Sequence, residues 1–454
     1  MKTYDVIVIG SGVGLSIVFK ALSAGLKVAL IDKRKLGGTC LNVGCKPSKM
    51  LIYPADRLRE IEEVRRLGIE AKVTRVDFGS IMERMRKAVK EGQDYLKREI
   101  KNSKRIDYYN AEAHFVGDYT LETREETMRG ERIFIVSGAS PLIPPTRGLD
   151  GMNYLTNETV LDLEERPESL IIIGGGYIAA EYAHFFSAVR TRVAIVGRNE
   201  RLVPNEEPEI SDLLKKELER RMEVHTGTDV LEVRQTREGC SILTKNRNTR
   251  EEKKLSAERL MVATGRKSNA DSLTVQNTGV ETTEAHFIKV DDYLQTTKEN
   301  IWALGDAIGK QMFTHAGAKE AELAWRNATE ERKKKMNFRV VPHAIFTQPQ
   351  IASVGLTEEQ ARKEYGILVG RAKYYDIVKG EAMMEEEGFA KVIVDRDSKK
   401  ILGFHIIGPE ASTLIQEVVN AMANRESIES ITGSMHIFPA LSELIPEALQ
   451  NLKE

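Results

Sequence analysis

GGTCLNVGCKPSK, residues 37–49, contains two of the three cysteines of this 454-residue sequence. Cys40 and Cys45 are spaced so that their sulfurs can meet across one helical turn, but the spacing differs from the Cys-x-x-Cys of a zinc knuckle. Because a loop this short gains little stability from a disulfide, we interpret the pair as redox-active. Lys49 adds positive charge, which favours a thiolate. A zinc site would need Cys240 and histidines with no recognisable spacing, so we predict no metal site.

Composition and charge narrow the class of protein. The length suits about three domains, and the 41% hydrophobic content is ample for buried cores. A formal charge of -1 gives no electrostatic reason to expect nucleic acid or an anionic membrane as a partner. No apolar segment reaches the roughly 18 residues of a membrane span, and the N-terminus lacks a signal-peptide layout. With three cysteines and no disulfide framework, we expect a cytoplasmic protein.

A dinucleotide-binding fingerprint opens the chain. The apolar run from Tyr4 to Ile9 is followed by GSGVG, a helix-like stretch and a second apolar run, Lys27 to Ile31, which Asp32 closes. This order of strand, glycine turn, helix, strand and acid is typical of a βαβ nucleotide-binding unit. Gly10 would make the tight turn, Gly12 would let the backbone approach a pyrophosphate, and Asp32 would accept ribose hydroxyls.

One position departs from this fingerprint. The third glycine is expected at position 15, which is Leu15, although Gly14 lies beside it. We expect a leucine there to widen the contact between helix and strand. The turn lies just ahead of the cysteine pair, and this context still favours a dinucleotide site.

A second fingerprint lies in the middle of the chain. Ser169 to Ile173 is predicted to be a strand, GGGYIAAE occupies residues 174–181, and Val193 to Val196 is predicted to be the next strand. Ala179 replaces the third glycine, a small change because alanine adds one methyl group. Since the βαβ unit is duplicated, we expect two bound dinucleotides.

The cysteine segment and the two fingerprints resemble the class I flavoprotein disulfide reductases, the family of dihydrolipoamide dehydrogenase, glutathione reductase and mercuric reductase. The resemblance spans the whole chain and implies that one dinucleotide is FAD and the other a nicotinamide. It implies that Cys40 exchanges with substrate and that Cys45 is the charge-transfer thiol facing the flavin. It also implies that Lys49 pairs with Glu181 near the flavin nitrogen that accepts hydride, and that Tyr177 lies over the flavin until the nicotinamide displaces it.

The same resemblance implies an α/β architecture of two Rossmann-like dinucleotide-binding domains plus a C-terminal α+β dimerisation domain. The expected ranges are 1–148 and 266–337 for a discontinuous FAD-binding domain, 149–265 for the NAD(P)-binding domain and 338–454 for the interface domain. A homodimer is implied because members build each active site from both subunits. Between the first motifs and the second, Ile52 to Ser103 is predicted to form paired helices.

The residues implied in cofactor binding fall in short motifs along the chain. They are Gly10, Gly12, Gly14, Asp32, Lys33, Gly38, Thr39, Ala113, Ser137, Gly138, Gly174, Gly176, Tyr177, Arg198, Gly265, Arg266, Gly305 and Asp306. His315, in FTHAGAKEA, is expected to help build the flavin pocket through its backbone and not to act as a catalyst.

The choice of nicotinamide depends on the end of the second strand of the second fingerprint. NAD-specific members usually place an acid there, whereas this chain has Gly197 followed by Arg198, with Arg201 further along. A guanidinium can bind a 2′-phosphate bidentately, and a carboxylate would repel it. We therefore expect NADPH to be favoured over NADH. The alternative is that Arg198 is a solvated loop residue, and Glu200 nearby reduces the positive charge.

The main departure from the family lies in MHIFPALSE, residues 435–443. Dihydrolipoamide dehydrogenase and glutathione reductase carry a histidine immediately before this proline, hydrogen-bonded to a glutamate five residues later. Here the glutamate is Glu443, but the histidine position is Phe438, which can neither take a thiol proton nor steady a thiolate. His436 could substitute only if the loop rearranged, and we interpret it as structural. Mercuric reductases carry phenylalanine here, yet they end in a cysteine pair that EALQNLKE lacks.

Three functions stay open at this stage. The first is an NAD(P)H-dependent, FAD-containing disulfide oxidoreductase of the dihydrolipoamide dehydrogenase type, acting on a small disulfide. The second is a mercuric-reductase-like or other reductase of an atypical acceptor, and the third is a non-catalytic redox-sensing flavoprotein. The residues expected to take part in catalysis are Cys40, Cys45, Lys49, Glu181 and Glu443, with His436 only if its loop rearranges.

Overall fold

The computed structural model describes residues 1–454, in which strands and helices alternate. The strands, in chain order, are β1 (Lys2–Ile9), β2 (Val28–Ile31), β3 (Ile106–Tyr109), β4 (His114–Gly117), β5 (Thr120–Glu122), β6 (Thr127–Ile135), β7 (Ala139–Pro141), β8 (Ser169–Ile173), β9 (Arg192–Val196), β10 (Glu223–His225), β11 (Thr228–Thr236), β12 (Gly239–Asn246), β13 (Glu252–Ala257), β14 (Arg259–Val262), β15 (Arg266–Ser268), β16 (Ile301–Ala303), β17 (His343–Ile345), β18 (Ile351–Gly355), β19 (Ile367–Lys373), β20 (Phe389–Asp395) and β21 (Ile401–Ile407).

The α-helices are interspersed with these strands. In chain order they are α1 (Gly14–Ser23), α2 (Gly38–Asn42), α3 (Cys45–Glu63), α4 (Phe78–Asn102), α5 (Tyr177–Ala188), α6 (Pro208–Glu219), α7 (Ala270–Leu273), α8 (Thr314–Thr329), α9 (Glu358–Glu364), α10 (Val378–Ala382), α11 (Ala411–Asn424), α12 (Glu429–Thr432) and α13 (Leu444–Gln450). The predicted paired helices between Ile52 and Ser103 are confirmed as the body of α3 and as α4. None of the helices combines the length and apolar character needed to cross a membrane.

The chain divides into two compact units. The first consists of Met1–Met50, Met82–Leu142 and Gly265–Phe338, and the second of Leu51–Ile81, Ile143–Thr264 and Arg339–Glu454. The mixed α/β fold class predicted from sequence is confirmed. The four domain ranges given above stay a prediction.

Buried β-branched residues form the central sheet of the first unit. Val6, Ile7 and Val8 of β1 are fully buried, and β1 pairs in parallel with β2 and β6. The strand order is β3-β2-β1-β6-β5-β4, with β16 paired in parallel to β6. Because β1, β2, β6 and β16 run parallel, the residues that follow these four strands gather at one edge of the sheet, where nucleotides bind in open α/β sheets.

Helix α1 makes its close contact with β1 at Gly14. A Cβ atom built on Gly14 would lie 2.9 Å from Val8 Cγ1. Leu15, one residue later, is buried in the core of this unit. The expectation that Leu15 widens the contact between helix and strand was therefore wrong, because the close approach falls where a glycine is present.

The second unit contains three sheets. A parallel sheet has the order β10-β9-β8-β14, an antiparallel ribbon has the order β11-β12-β13, and an antiparallel sheet of five strands has the order β17-β18-β21-β20-β19. The sequence of α5, YIAAEYAHFFSA, is buried over most of its circumference. Its small and aromatic residues let it pack directly against β8 and β9.

A buried cation joins α6 to the five-stranded sheet. Lys391 of β20 has a side chain that is only 3% exposed, and its Nζ lies 2.8 Å from Glu207, 2.6 Å from Glu209 and 2.8 Å from Glu358. Burial opposes ionisation of Glu209 and Glu358, but hydrogen bonds from Lys391 and neighbouring arginines outweigh it and hold the pKa of both carboxyls below the ordinary value. The cluster stabilises this junction as long as all its members stay charged.

Candidate active site

The two cysteines of residues 37–49 lie on consecutive helices. Cys40 belongs to α2, and Cys45 is the first residue of α3. Gly37 and Gly38 lead into α2 with φ angles of 102° and 61°, which favour glycine. Both cysteines are free thiols, Cys40 half-buried and Cys45 exposed.

The side chain of Asn42 fixes the loop that carries these thiols. Its Nδ2 lies 3.0 Å from the carbonyl oxygens of Lys35 and Leu36 and 2.9 Å from that of Gly38. Gln93 of α4 donates to Asn42 Oδ1 at 2.7 Å. Both ends of α2 are therefore tied to one amide group, which is itself held by a neighbouring helix.

The electrostatics of the pair are asymmetric. A hydrogen bond from Cys40 lowers the pKa of the Cys45 thiol to about 6. Thr314 Oγ1, at 3.1 Å from Cys45 Sγ, and the charge of Lys49 lower the pKa of Cys45 further. The hydrogen bond that Cys40 makes to Cys45, together with burial, raises the pKa of the Cys40 thiol. At neutral pH, Cys45 therefore carries the negative charge and Cys40 the proton.

Thr314 is a site residue that the sequence motifs did not indicate. It begins α8 and lies 269 positions from Cys45 along the chain. The only signal was its place beside His315 in FTHAGAKEA, a segment expected to build the flavin pocket.

The first glycine turn has the geometry expected of a nucleotide site. Gly10 has a φ of 112°, and a Cβ atom there would lie 2.1 Å from the Val136 carbonyl oxygen. A Cβ atom on Gly38 would lie 2.5 Å from Gly12 Cα, so the backbones of the two loops touch. Only glycine permits both contacts. The first fingerprint and the cysteine segment are in this way joined at the edge of the sheet.

Asp32 lies at the same turn. Its Oδ2 accepts hydrogen bonds from the backbone nitrogen of Ser11 at 2.7 Å and from its Oγ at 2.6 Å, and its Oδ1 accepts one from the Arg34 nitrogen at 2.9 Å. The carboxylate is therefore held in one orientation with lone pairs left for a hydroxyl. Lys33, also expected to bind cofactor, pairs with Glu112 at 2.8 Å.

The residues between β6 and β7 include a buried hydroxyl without a partner and a glycine that faces open space. Ser137 Oγ is buried and has no hydrogen-bond partner within the protein. Gly138 has a φ of 66°, and a Cβ atom there would meet nothing within 4 Å.

The other residues predicted to bind cofactor lie in separate segments. Ala113 is buried at 3% exposure, while Thr39 lies within α2. Gly265, with a φ of 121°, comes directly before β15.

Two acidic residues lie beyond β16. Burial raises the pKa of Asp306, although Arg266 Nε at 3.3 Å opposes the increase. Glu320 of α8 is fully buried, accepts a hydrogen bond from the Gly305 nitrogen at 2.6 Å and has a pKa raised by burial to about 7. Glu320 was not identified from sequence, because it reads as one more charge in the FTHAGAKEA helix.

These features fit FAD. Gly10 and Gly12 leave the backbone free to approach a pyrophosphate, and Asp32 and Asp306 offer carboxylates suited to polyol hydroxyls. The unpartnered Ser137 hydroxyl is a buried polar atom of the kind that a cofactor satisfies. When bound there, FAD would supply hydride acceptance and electron transfer to the cysteine pair.

The second fingerprint repeats the turn geometry in the second unit. Gly174 has a φ of 136°, and a Cβ atom there would lie 2.2 Å from the Ala263 carbonyl oxygen. Gly176 comes directly before α5, which begins at Tyr177. Glu181, one turn further on, is 6% exposed, and its Oε1 accepts a hydrogen bond from the Phe346 nitrogen at 3.0 Å. The structure thus holds the Glu181 carboxylate by a contact that no motif revealed.

The loop after β9 bears on the choice of nicotinamide. Arg198 is exposed and has no ion pair within the protein. Its neighbours are occupied, since Arg201 pairs with Asp212 at 2.9 Å and Glu200 accepts a hydrogen bond from Asn248 at 3.0 Å. Of the two arginines in this loop, Arg198 is therefore the one that keeps its guanidinium available for a ligand.

The segment before Pro439 does not reproduce the family's histidine–glutamate pair. Phe438 is 70% exposed. His436 Nε2 lies 2.9 Å from Glu417 Oε1, and Glu443 Oε2 accepts a hydrogen bond from the Ala440 nitrogen at 3.0 Å. His436 and Glu443 thus have separate partners, and their catalytic roles stay predictions.

Two dinucleotide-binding units and a thiol pair at the start of a helix define a flavin- and pyridine-nucleotide-dependent disulfide oxidoreductase. Residues 4–321 match the family described as pyridine nucleotide-disulphide oxidoreductase, and residues 341–449 match the dimerisation domain of that family. The chain belongs to this family. The sequence-based recognition of a flavoprotein disulfide reductase is therefore confirmed, as is the use of FAD and a pyridine nucleotide. The dimerisation domain supports a homodimer.

Similar proteins align with all or nearly all of the chain. Mycothione reductase of Mycobacterium tuberculosis is 35% identical over 470 residues, which is 100% of this chain and 100% of the relative. Mercuric reductase of Lysinibacillus sphaericus is 32% identical over 443 residues, which is 97% of this chain and 81% of the relative. Among solved structures, a Cu(II) complex of the HOCl-induced flavoprotein disulfide reductase RclA from Escherichia coli superposes with a TM-score of 0.88 at 26% identity, covering 99% of each chain.

Proposed function

We propose that this enzyme uses NADPH to reduce the Cys40–Cys45 disulfide and that Cys40 passes the electron pair to a low-molecular-weight disulfide. The observation that carries the proposal is the geometry of the pair, in which Cys45 Sγ lies 3.1 Å from Thr314 Oγ1 and is hydrogen-bonded to Cys40. These contacts favour a Cys45 thiolate beside a protonated Cys40. Such a pair divides its work between a charged thiol and an exchanging thiol. The full-length similarity to mycothione reductase supports a disulfide as acceptor.

The chain's own residues account for the exchange steps. Cys40 attacks one sulfur of the substrate disulfide and releases the other as a thiolate, and Cys45 then attacks Cys40 and releases the second thiolate. Each cycle consumes one NADPH, one proton and one disulfide and yields NADP⁺ and two thiols. Because Phe438 cannot take the Cys40 proton, the hydrogen-bonded Cys45 thiolate is the base within reach. The hydroxyl of Thr314 stabilises the negative charge of the Cys45 thiolate by a hydrogen bond.

The preference for NADPH is supported by the free guanidinium of Arg198. A 2′-phosphate bound there would gain charge-assisted hydrogen bonds without breaking any ion pair of the protein. Glu200, the nearest opposing charge in sequence, is engaged by Asn248.

A thiophilic metal ion is the second candidate acceptor. It is favoured by Phe438, because reduction of a metal ion requires no acid or base for a departing thiol. The similarity to a mercuric reductase and to a reductase solved with Cu(II) supports this candidate.

Proton stoichiometry separates the two candidates. Disulfide reduction consumes one proton for each NADPH, whereas reduction of Hg²⁺, or of two Cu²⁺ ions, by one NADPH releases one. The purified enzyme would be given NADPH or NADH in weak buffer without oxygen, followed by mycothiol disulfide, lipoamide, glutathione disulfide, Hg²⁺ or Cu²⁺. Proton uptake with a disulfide and faster flavin reduction by NADPH are expected. Proton release with a metal ion and no turnover of any disulfide would replace the first candidate by the second.

A further inference from the structure

A buried histidine connects α3, α5 and the segment after α6. His184 of α5 is fully buried, and its Nε2 lies 2.8 Å from Asp56 Oδ1 on α3. Its Nδ1 lies 3.2 Å from Nη1 of Arg221, and Nη2 of the same arginine donates to the Gln348 carbonyl oxygen at 2.7 Å. Neither sequence motifs nor the exchange chemistry assigns these residues a role.

The chemistry of the groups fixes the histidine tautomer. Arginine has only donors, so Nδ1 of His184 must accept and Nε2 must carry the hydrogen that Asp56 receives. Burial lowers the pKa of His184, consistent with this neutral form. Burial also lowers the pKa of Arg221 to about 10, which leaves the guanidinium charged at neutral pH. The chain of donors and acceptors therefore has one direction, from Arg221 through His184 to Asp56.

The same arginine holds the segment that contacts Glu181. Arg221 binds the carbonyl of Gln348, two residues after Phe346, whose nitrogen donates to Glu181 Oε1 at 3.0 Å. Thr347, between them, is buried, and its hydroxyl donates to the Pro349 carbonyl oxygen at 2.6 Å. Movement of the Gln348 carbonyl would thus be passed along a stiff segment to the amide that orients the carboxylate.

We propose that Arg221, oriented by His184, is a positioning residue for Glu181. It acts through the 346–349 segment and sets the direction of the carboxylate during hydride transfer from the nicotinamide. This inference rests on the proposed function, because it needs reduction of the flavin by NADPH, and on the position near the hydride-accepting flavin nitrogen that the family resemblance implies for Glu181. It concerns only that step, so the exchange at Cys40 is expected to be unaffected.

A double-mutant cycle with the full-length flavoprotein tests this role. Arg221→Lys keeps the charge but cannot reach His184 and the Gln348 carbonyl together. The rate constant of flavin reduction by NADPH is measured in single turnover for the wild type, for Arg221→Lys, for Glu181→Gln and for the double variant. We expect Arg221→Lys to slow flavin reduction by between about tenfold and about 100-fold, the range that a misplaced catalytic group produces. In the Glu181→Gln background the same change should have almost no further effect, because its target is already lost.

Two histidine variants supply an independent measurement. His184→Asn keeps an acceptor near the Nδ1 position for Arg221, and His184→Gln keeps a donor near the Nε2 position for Asp56. Flavin reduction should be slow in His184→Gln and near normal in His184→Asn. Arg220→Lys is the matched control, because this exposed neighbour pairs only with Glu217 and Glu387 on the surface.

The outcomes separate the two proposals. Multiplicative effects of Arg221→Lys and Glu181→Gln, or equal slowing by both His184 variants, would show a general structural role and overturn the positioning role. Slower reoxidation by the acceptor at unchanged flavin reduction would overturn it as well. A wild-type flavin that neither NADPH nor NADH reduces would overturn the proposed function itself.

Discussion

Replacement of Thr314 by valine should raise the pKa of the Cys45 thiol. The change removes the hydroxyl that lies 3.1 Å from Cys45 Sγ but keeps the shape of the side chain. A hydrogen bond to a charged group contributes about 1.5–3 kcal/mol, and the low end applies because Cys45 is exposed. Since one pKa unit corresponds to about 1.4 kcal/mol, the pKa should rise by about one unit, from about 6 to about 7. The thiolate fraction at pH 7 would fall from about 90% to about 50%.

An anaerobic pH titration measures this shift. The two-electron-reduced enzyme and its Thr314→Val variant are titrated while thiolate absorbance and the long-wavelength thiolate-to-flavin band are recorded. Thr314→Ser, which keeps the hydroxyl, should titrate like the wild type. Cys40→Ala identifies the signal of Cys45 and removes its main hydrogen-bond donor. The pKa of Cys45 should rise more in this variant than in Thr314→Val, because Cys40 provides the larger part of the stabilisation. Equal midpoints for Thr314→Val and wild type would refute the assignment of this hydroxyl to the thiolate.

Three further substitutions test other parts of the structure. Phe438→His should raise kcat/KM for a small disulfide by about 100-fold, the usual contribution of a general base, while leaving flavin reduction by NADPH unchanged; no gain would mean that position 438 does not face the exchanging thiol. Arg198→Glu should lower the ratio of kcat/KM for NADPH to that for NADH by at least about tenfold, equivalent to one charge-assisted hydrogen bond, and an unchanged ratio would assign Arg198 to solvent. Lys391→Met should lower the free energy of unfolding by about 3–5 kcal/mol, because three carboxylates lose their common partner, whereas exposed Lys379→Met should change it by less than about 0.5 kcal/mol. In the wild type, the lowered pKa values of Glu209 and Glu358 stabilise the fold fully above the ordinary glutamate pKa of about 4.3. This contribution is lost as the pH falls below that value. The denaturant midpoints of wild type and Lys391→Met should therefore converge in acid.

Local patterns predicted the fold and the two turns well. Gly10 and Gly174 are readable because each closes a strand with a backbone angle that only glycine adopts easily, and strand, turn and helix are contiguous in sequence. The error at Leu15 shows the limit of a spacing rule, because the close contact with Val8 falls at Gly14. Spacing along the chain does not determine which residue of a turn touches the strand.

The parts of the site that were missed depend on long-range contacts. Thr314 lies 269 positions from Cys45, and Phe346 lies 165 positions from Glu181. Both contacts use a hydroxyl or a backbone nitrogen, groups so common that no residue type marks them. The pairing of His436 with Glu417 likewise follows from packing that the motif around Pro439 does not encode.

The side-chain amide of Asn42 bears on how the cysteine loop behaves during repeated turnover. A disulfide that forms and breaks in every cycle would strain its loop repeatedly if the backbone had to move. With Lys35, Leu36 and Gly38 held by one side chain, we expect the redox change to proceed by rotation about the side-chain bonds of the cysteines while the backbone stays in place. If the loop does not open locally during a cycle, we expect proteases to cut it no faster during turnover than at rest.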